Sequence, residues 1–236
     1  MPENAPFEVT RWSLVLRARG SDDEERRAAL EQLCRAYWYP LYAFLRRSGR
    51  GREDAEDLAQ EFFVRLLDGR LLGAADPARG KFRTLLLSSL QQVDADAWRA
   101  AHAQKRGGGM VIVAIDSELA EERFLADKSE GGSPELAFDR AWAAAVMERA
   151  WARLRESYAE KAALFAELAP RLSGAAVPGT LAEAGARLGM SEDATKQAMS
   201  RMRQRLGEAL KAEVAETVGS PDAVQQEMRH LLALFS

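Results

Sequence analysis

A single cysteine, Cys34, leaves no partner for an intramolecular disulfide. Only two histidines accompany it, too few for the roughly four Cys/His ligands of a structural zinc site. No run of about 18 apolar residues occurs, so no segment reads as membrane-spanning. The opening MPENAPFEVTRW carries no apolar signal segment. These absences point to a cytoplasmic chain with no membrane insertion. Strand-like alternation is scarce as well. Only residues 110–115 look extended, and a lone extended run cannot build a sheet. Asp54, Glu56, Asp57 and Glu61 could in principle hold a divalent metal. No histidine, nucleophile–base pair or glycine-rich phosphate loop accompanies them. The expectation is therefore no catalytic residue, no metal and no cofactor.

What is present is helix. Of 236 residues, 47% are hydrophobic, enough to bury a core in one large domain or two small ones. Charged residues make up 29%, with a net charge of -3, so local arrangement carries the information. Ser21 and Glu24 have capping-box spacing. The helix after them places Leu30, Leu33, Tyr37, Leu41 and Phe44 three and four residues apart, and Pro40 is expected to kink or split it. A second helix is expected over 53–67, with Leu58, Phe62 and Leu66 inward. Asp76-Pro77 opens a short turn, and a third helix runs over 81–106 until Gly107-Gly108-Gly109 stops it. Residues 107–133 read as a linker. From Asp116 to Glu135 there are seven acids against Arg123 and Lys128, so this tether is locally acidic. Helices resume over 134–158, 160–169, 180–188 and 192–218. Ser220-Pro221 starts a last one bearing Met228, Leu231, Leu232 and Phe235, which could dock back on the body or bind a regulator. The fold class is all-α: two helical modules joined by an acidic linker, plus a C-terminal helix.

Two stretches carry surface chemistry. Residues 180–211 spell a helix-turn-helix. Thr180 and Glu183 form a capping box, Gly189 suits a left-handed helix end, and Ser191 suits the next N-cap. Lys196 and Gln197 then sit where a helix entering a major groove meets base edges, and Arg201, Arg203 and Arg205 supply phosphate partners. Between 192 and 211 there are five bases and three acids. The helix over 81–106 holds five bases (Lys81, Arg83, Arg99, Lys105, Arg106) against Asp94 and Asp96. Stepping 100° per residue puts Phe82, Leu85, Leu86, Ser89, Val93 and Ala97 on one side. Trp98 falls away from that stripe, near Gln91, His102 and Lys105, where it can stack on an unpaired base or pack against a neighbouring helix. Asp96 falls on the apolar side, so a bend near residue 95 is expected. On the helix over 53–67, Asp57, Gln60, Glu61 and Arg65 line the outer face.

The run Asp54 to Leu66, the helix over 81–106 and the helix-turn-helix from Thr180 to Leu210 together resemble the extracytoplasmic-function (ECF) group of bacterial sigma factors. The likeness extends from about residue 8 to 215, and Ala-Glu-Asp-Leu-x-Gln-Glu-x-Phe is a strong signature within it. It implies a region-two domain over 8–106, an acidic linker over 107–133 threading toward the polymerase active site, a region-four domain over 134–215 and an extension over 220–236. Asp57, Gln60, Glu61 and Arg65 would dock on core RNA polymerase. Lys81, Arg83, Gln91, Trp98, Arg99, His102, Lys105 and Arg106 would bind and help melt the minus-10 element. Ser191, Thr195, Lys196, Gln197, Ser200, Arg201, Arg203 and Arg205 would bind the minus-35 element. The implied partners are core polymerase and promoter DNA, with room for an anti-sigma or other regulatory protein. Two departures stand out: Asp94-Ala95-Asp96-Ala97-Trp98 lacks an Asn common in the family, and Thr195 replaces a branched apolar residue. The competing reading is a conventional helix-turn-helix regulator that never touches core polymerase. It would need neither the Asp57/Gln60/Glu61 face nor Trp98.

Overall fold

The computed structural model describes residues 11–68, 70–73, 75–76, 81–101, 117–126, 132–216, 218 and 221–235. The extended run at 110–115 lies outside them. The described residues form eleven α-helices and no strand. In chain order these are α1 (Arg11–Ala18), α2 (Asp23–Arg47), α3 (Arg52–Leu67), α4 (Arg70–Gly73), α5 (Phe82–Ala101), α6 (Ser117–Ala126), α7 (Pro134–Ser157), α8 (Ala162–Leu172), α9 (Leu181–Arg187), α10 (Glu192–Ala215) and α11 (Pro221–Ala233). A 3-10 turn over Ala159–Lys161 precedes α8. Two compact units result, one of residues 1–145 with 215–236 and one of residues 146–214, so the division falls inside α7.

In the first unit α1 packs on α2, α2 on α3, and α3 on α5. The core takes Leu33, Tyr37, Leu41 and Leu45 from α2, Ala55, Ala59, Phe62 and Leu66 from α3, and Phe82, Leu86, Leu90 and Val93 from α5. Each set follows the three-four spacing that puts residues on one helical face. Tyr37 and Phe82 meet edge to face with centroids 5.7 Å apart, the arrangement that aromatic quadrupoles favour.

Asp22, not Ser21, caps α2. Its Oδ1 accepts the backbone N–H groups of Glu24 at 3.0 Å and Glu25 at 2.8 Å. A carboxylate caps as well as a hydroxyl and adds charge at the positive helix end. Nor does Pro40 split the helix: α2 is continuous through it. Burial of Trp38, Leu41, Tyr42 and Phe44 around it outweighs the roughly 3 kcal/mol that an interior proline costs. α5 likewise continues through residue 95. Its two acids are neutralised by ion pairs, Asp94 with Arg50 at 2.7 Å and Asp96 with Arg65 at 3.3 Å, so Asp96 needs no bend to leave the apolar side.

The segment expected as an acidic tether contains α6, which packs on α2. Glu121 accepts from Arg46 Nη2 at 2.7 Å, from Arg46 Nε at 3.0 Å and from the Tyr42 hydroxyl. The Arg46 guanidinium also lies 4.8 Å from the Phe124 ring centroid. α11 joins the first unit through Val224, Glu227 and Leu231, all buried, whereas Leu232 and Phe235 face outward. The expected apolar face is therefore rotated toward Val224.

The second unit is built around Leu154 of α7, Tyr158 just after it, Leu168 of α8, and Ala198, Met199 and Met202 of α10. Leu181 and Met190 close over this core from the α9 side. Buried Glu213 of α10 ties back to α7, accepting from Arg149 at 2.7 Å and pairing with Arg153 at 2.5 Å.

Removing the Glu121 carboxylate leaves the half-buried Arg46 without its bidentate partner. Glu121→Ala is expected to lower stability by about 1–3 kcal/mol, read from the urea midpoint, with faster hydrogen exchange in 117–126. Burial pushes the Glu121 carboxyl up, but Arg46 and Tyr42 bring it below its usual value. Its contribution is thus complete above the ordinary glutamate pKa of about 4.3 and fades as pH falls through the lower folded value. A parent chain whose 117–126 protection, relative to the intrinsic exchange rate, stays unchanged as pH falls until the Glu121 carboxyl is protonated would show that this pair does not hold α6.

Candidate functional site

The helix-turn-helix assembles as its residues demand. Thr180 Oγ1 accepts the Glu183 backbone N–H at 3.2 Å, and Glu183 Oε2 accepts the Thr180 backbone N–H at 3.1 Å, so α9 starts with both halves of a capping box. Gly189 adopts φ +66°, the left-handed region that glycine reaches without strain. The Met190 N–H then reaches back to the Gly185 carbonyl at 2.8 Å. Ser191 Oγ accepts the Ala194 N–H at 3.3 Å and opens α10.

Gly185 and Thr195 fasten α9 to α10. Thr195 is 0% exposed and donates its hydroxyl to the Ser191 carbonyl at 2.8 Å. It was expected among the minus-35 contacts, and its burial in the seam between the helices removes it from any surface DNA could touch. A methyl group on Gly185 would overlap Thr195 Oγ1 and meet the Met190 carbonyl at 3.2 Å. The glycine is there because the helices approach so closely.

The remaining residues of that set stay on the outside. Ser191, Lys196, Gln197, Ser200, Arg201, Arg203 and Arg205 are all exposed along one helix. Lys196 pairs with Glu192 one turn earlier at 2.6 Å, each side chain 57% exposed. The hydrogen bond and charge of this pair raise the Lys196 pKa and lower that of Glu192. Such an exposed i,i+4 pair is screened by water and exchanges readily for another acceptor. The Arg205 guanidinium sits 5.2 Å from the Tyr158 ring centroid.

On α3 the outer face is accessible. Asp57 and Glu61 are exposed, Gln60 and Arg65 half-buried, while Leu58, Phe62 and Leu66 are buried. Arg65 pairs with Glu61 at 2.6 Å as well as with Asp96 of α5. The carboxylate-rich stripe is therefore partly organised by one arginine.

The residues expected to bind minus-10 DNA divide three ways. Gln91 is exposed on α5, its amide 3.4 Å from Glu135. Trp98 and Arg99 lie on the α5 backbone, their side chains outside the description, and His102, Lys105 and Arg106 lie outside the described residues. Lys81 and Arg83 are not on an open surface. Lys81 Nζ pairs with Glu227 of α11. Arg83 Nε donates to Glu227 Oε1 at 2.7 Å, its Nη1 pairs with Asp139 of α7, and its guanidinium lies 4.9 Å from the Trp142 ring centroid. Burial pushes the Glu227 carboxyl up, but Arg83 and then Lys81 bring it below the usual carboxylate range, so it is ionised. His230 completes the group, its Nε2 3.0 Å from Asp139. Sequence reasoning missed Glu227, Asp139 and Glu121. One signal was available: Glu227 interrupts the apolar stripe of Val224, Met228 and Leu231.

Gly185→Ala is expected to lower the thermal midpoint. Overpacking by about 1–3 kcal/mol exceeds the roughly 1 kcal/mol gained in helix propensity. Thr195→Ala in the same chain removes the overlapping oxygen and is expected to restore the midpoint. A single variant as stable as the parent would show that the two helices have room to spare.

Residues 21–212 match the family model described as ECF sigma factor. No curated protein and no solved structure matches. The matched stretch runs from the start of α2 almost to the end of α10 and contains both the α3 face and the helix-turn-helix. The chain belongs to the ECF sigma factor family.

Proposed function

We propose that this protein binds core RNA polymerase and directs promoter recognition, DNA melting and transcription initiation in the cytoplasm, with no enzymatic chemistry of its own. One observation carries the reading: a single chain exposes both the Asp57/Glu61 face of α3 and the start of the α10 recognition helix. A conventional DNA-binding regulator has use for only the second.

In this reading Asp57, Gln60, Glu61 and Arg65 engage core polymerase. Acidic groups on a rigid helix suit a basic partner, since complementary potentials steer encounter and set register. Residues 134–215, which include the compact unit 146–214, act as region four. The N-terminal turn of α10 enters the major groove of the minus-35 element, with Lys196 and Gln197 at base edges. Ser191, Ser200, Arg201, Arg203 and Arg205 meet the backbone, where Arg and Lys contacts fix register without reading sequence. The outer face of α5 and the residues after it, Gln91, Trp98, Arg99, His102, Lys105 and Arg106, hold the melted minus-10 element. Basic groups track the strand there while Trp98 stacks on an unpaired base. An anti-sigma protein would act by covering one of these surfaces.

Reversing charge with D57K/E61K is expected to abolish co-purification with core polymerase and leave binding to a DNA duplex intact. Equal loss of both would indicate a folding defect. A parent chain that never captures core polymerase would return the protein to the conventional-regulator reading. Lys196→Ala is expected to weaken binding to the upstream element by about 1–3 kcal/mol if the lysine reads a base. Titration against sites altered at single positions measures this, and equal weakening on every site would make Lys196 a phosphate contact.

A further inference from the structure

Glu227 is a carboxylate with 0% exposure, on a helix that lies beyond the residues shared with the family model. An ionised group in such a place must recover its lost hydration from its neighbours. It does so from two cations at the start of α5, one carboxylate oxygen toward Lys81 and the other toward Arg83. An apolar residue at 227 alone would strand Lys81 and Arg83, but packed hydrophobic groups in place of all three would serve a purely structural helix at least as well. What the carboxylate adds is chemistry. An anion bridging a lysine and an arginine is the arrangement a backbone phosphate makes with the same side chains.

The rest of the contact is narrow. Val224 and Leu231 flank Glu227 on the docked stripe, and His230 adds a strap to Asp139, which itself pairs with Arg83. Leu232 and Phe235 point away from the body. α11 is thus held by an apolar stripe with the two cations at its centre. Because its docking is intramolecular, it competes well against dilute DNA and yields to DNA presented at high local concentration.

We propose that α11 is an intramolecular latch whose Glu227 carboxylate occupies Lys81 and Arg83 in place of a DNA phosphate and is displaced when the start of α5 engages promoter DNA. This rests on the reading of α5 as a promoter-facing helix. The free chain keeps part of its DNA surface neutralised, and the complex with polymerase, where DNA is held close, opens it.

The test uses the full chain and a mixed-sequence DNA duplex across a salt series. Glu227→Gln keeps the volume and one acceptor oxygen, but replaces the other oxygen with a donor and removes the competing charge. It is expected to tighten binding roughly tenfold at low salt and to steepen the log–log salt dependence by up to about 0.9 for each cation released. In the E227Q/K81A/R83A chain the gain disappears. In the unaltered protein, added DNA is expected to speed hydrogen exchange across 221–235, a readout that needs no variant to fold. Unchanged exchange in 221–235 with DNA bound overturns the latch, as does a gain that survives in the triple variant. If neither parent nor variant binds DNA, alone or with core polymerase, the promoter-binding reading itself falls and the latch with it.

Discussion

The functional surfaces of the first unit depend on α2 burying one apolar stripe against α3 and α5. Leu33, Tyr37, Leu41 and Leu45 are nearly inaccessible, and Tyr37 meets Phe82 at the first residue of α5. With the inner faces of α3 and α5 spent on that core, their outer faces are determined. Asp57 and Glu61 point outward because Leu58, Phe62 and Leu66 point inward, and a helix allows no other division at this spacing. A carboxylate patch on a packed helix loses little entropy on binding, since the backbone that carries it is already ordered.

Charge follows two rules in this molecule. Pairs within one helix, such as Lys196–Glu192 and Arg65–Glu61, are open to water and organise a surface more than they stabilise it. Glu121, Glu213 and Glu227 are different. Each is largely or wholly withdrawn from water and each meets arginine from a segment distant in the chain. Such contacts are worth little when complete and are costly to break by halves. They act as selectors of which surfaces pack together. Glu121 seats α6 on α2, Glu213 ties α10 to α7, and Glu227 seats α11 over the start of α5.

The helix-turn-helix shows how local chemistry and close packing combine. The Thr180–Glu183 box, the left-handed Gly189 and the Ser191 cap are each short-range, so all were legible before any fold was known. Gly185 and Thr195 were harder. Only the packed helices reveal that Gly185 lies against Thr195, which fills the seam. Its hydroxyl would otherwise be a buried group without a partner, and it finds the Ser191 carbonyl of its own helix.

Periodicity and caps by themselves determined an all-helical chain, most of the helices and the outward direction of Asp57, Glu61, Lys196 and Gln197. Those features arise from interactions within a few residues, which the order of amino acids states directly. Misplaced details were also local, such as Asp22 capping α2 in place of Ser21. Only the tertiary structure decided that Pro40 sits inside an unbroken helix, that part of the acidic linker folds onto α2, and that Lys81 and Arg83 face a carboxylate about 145 residues further along the chain. Long-range ion pairs leave no periodic trace, because which acid meets which base depends on how the helices pack, and packing is settled by the core as a whole.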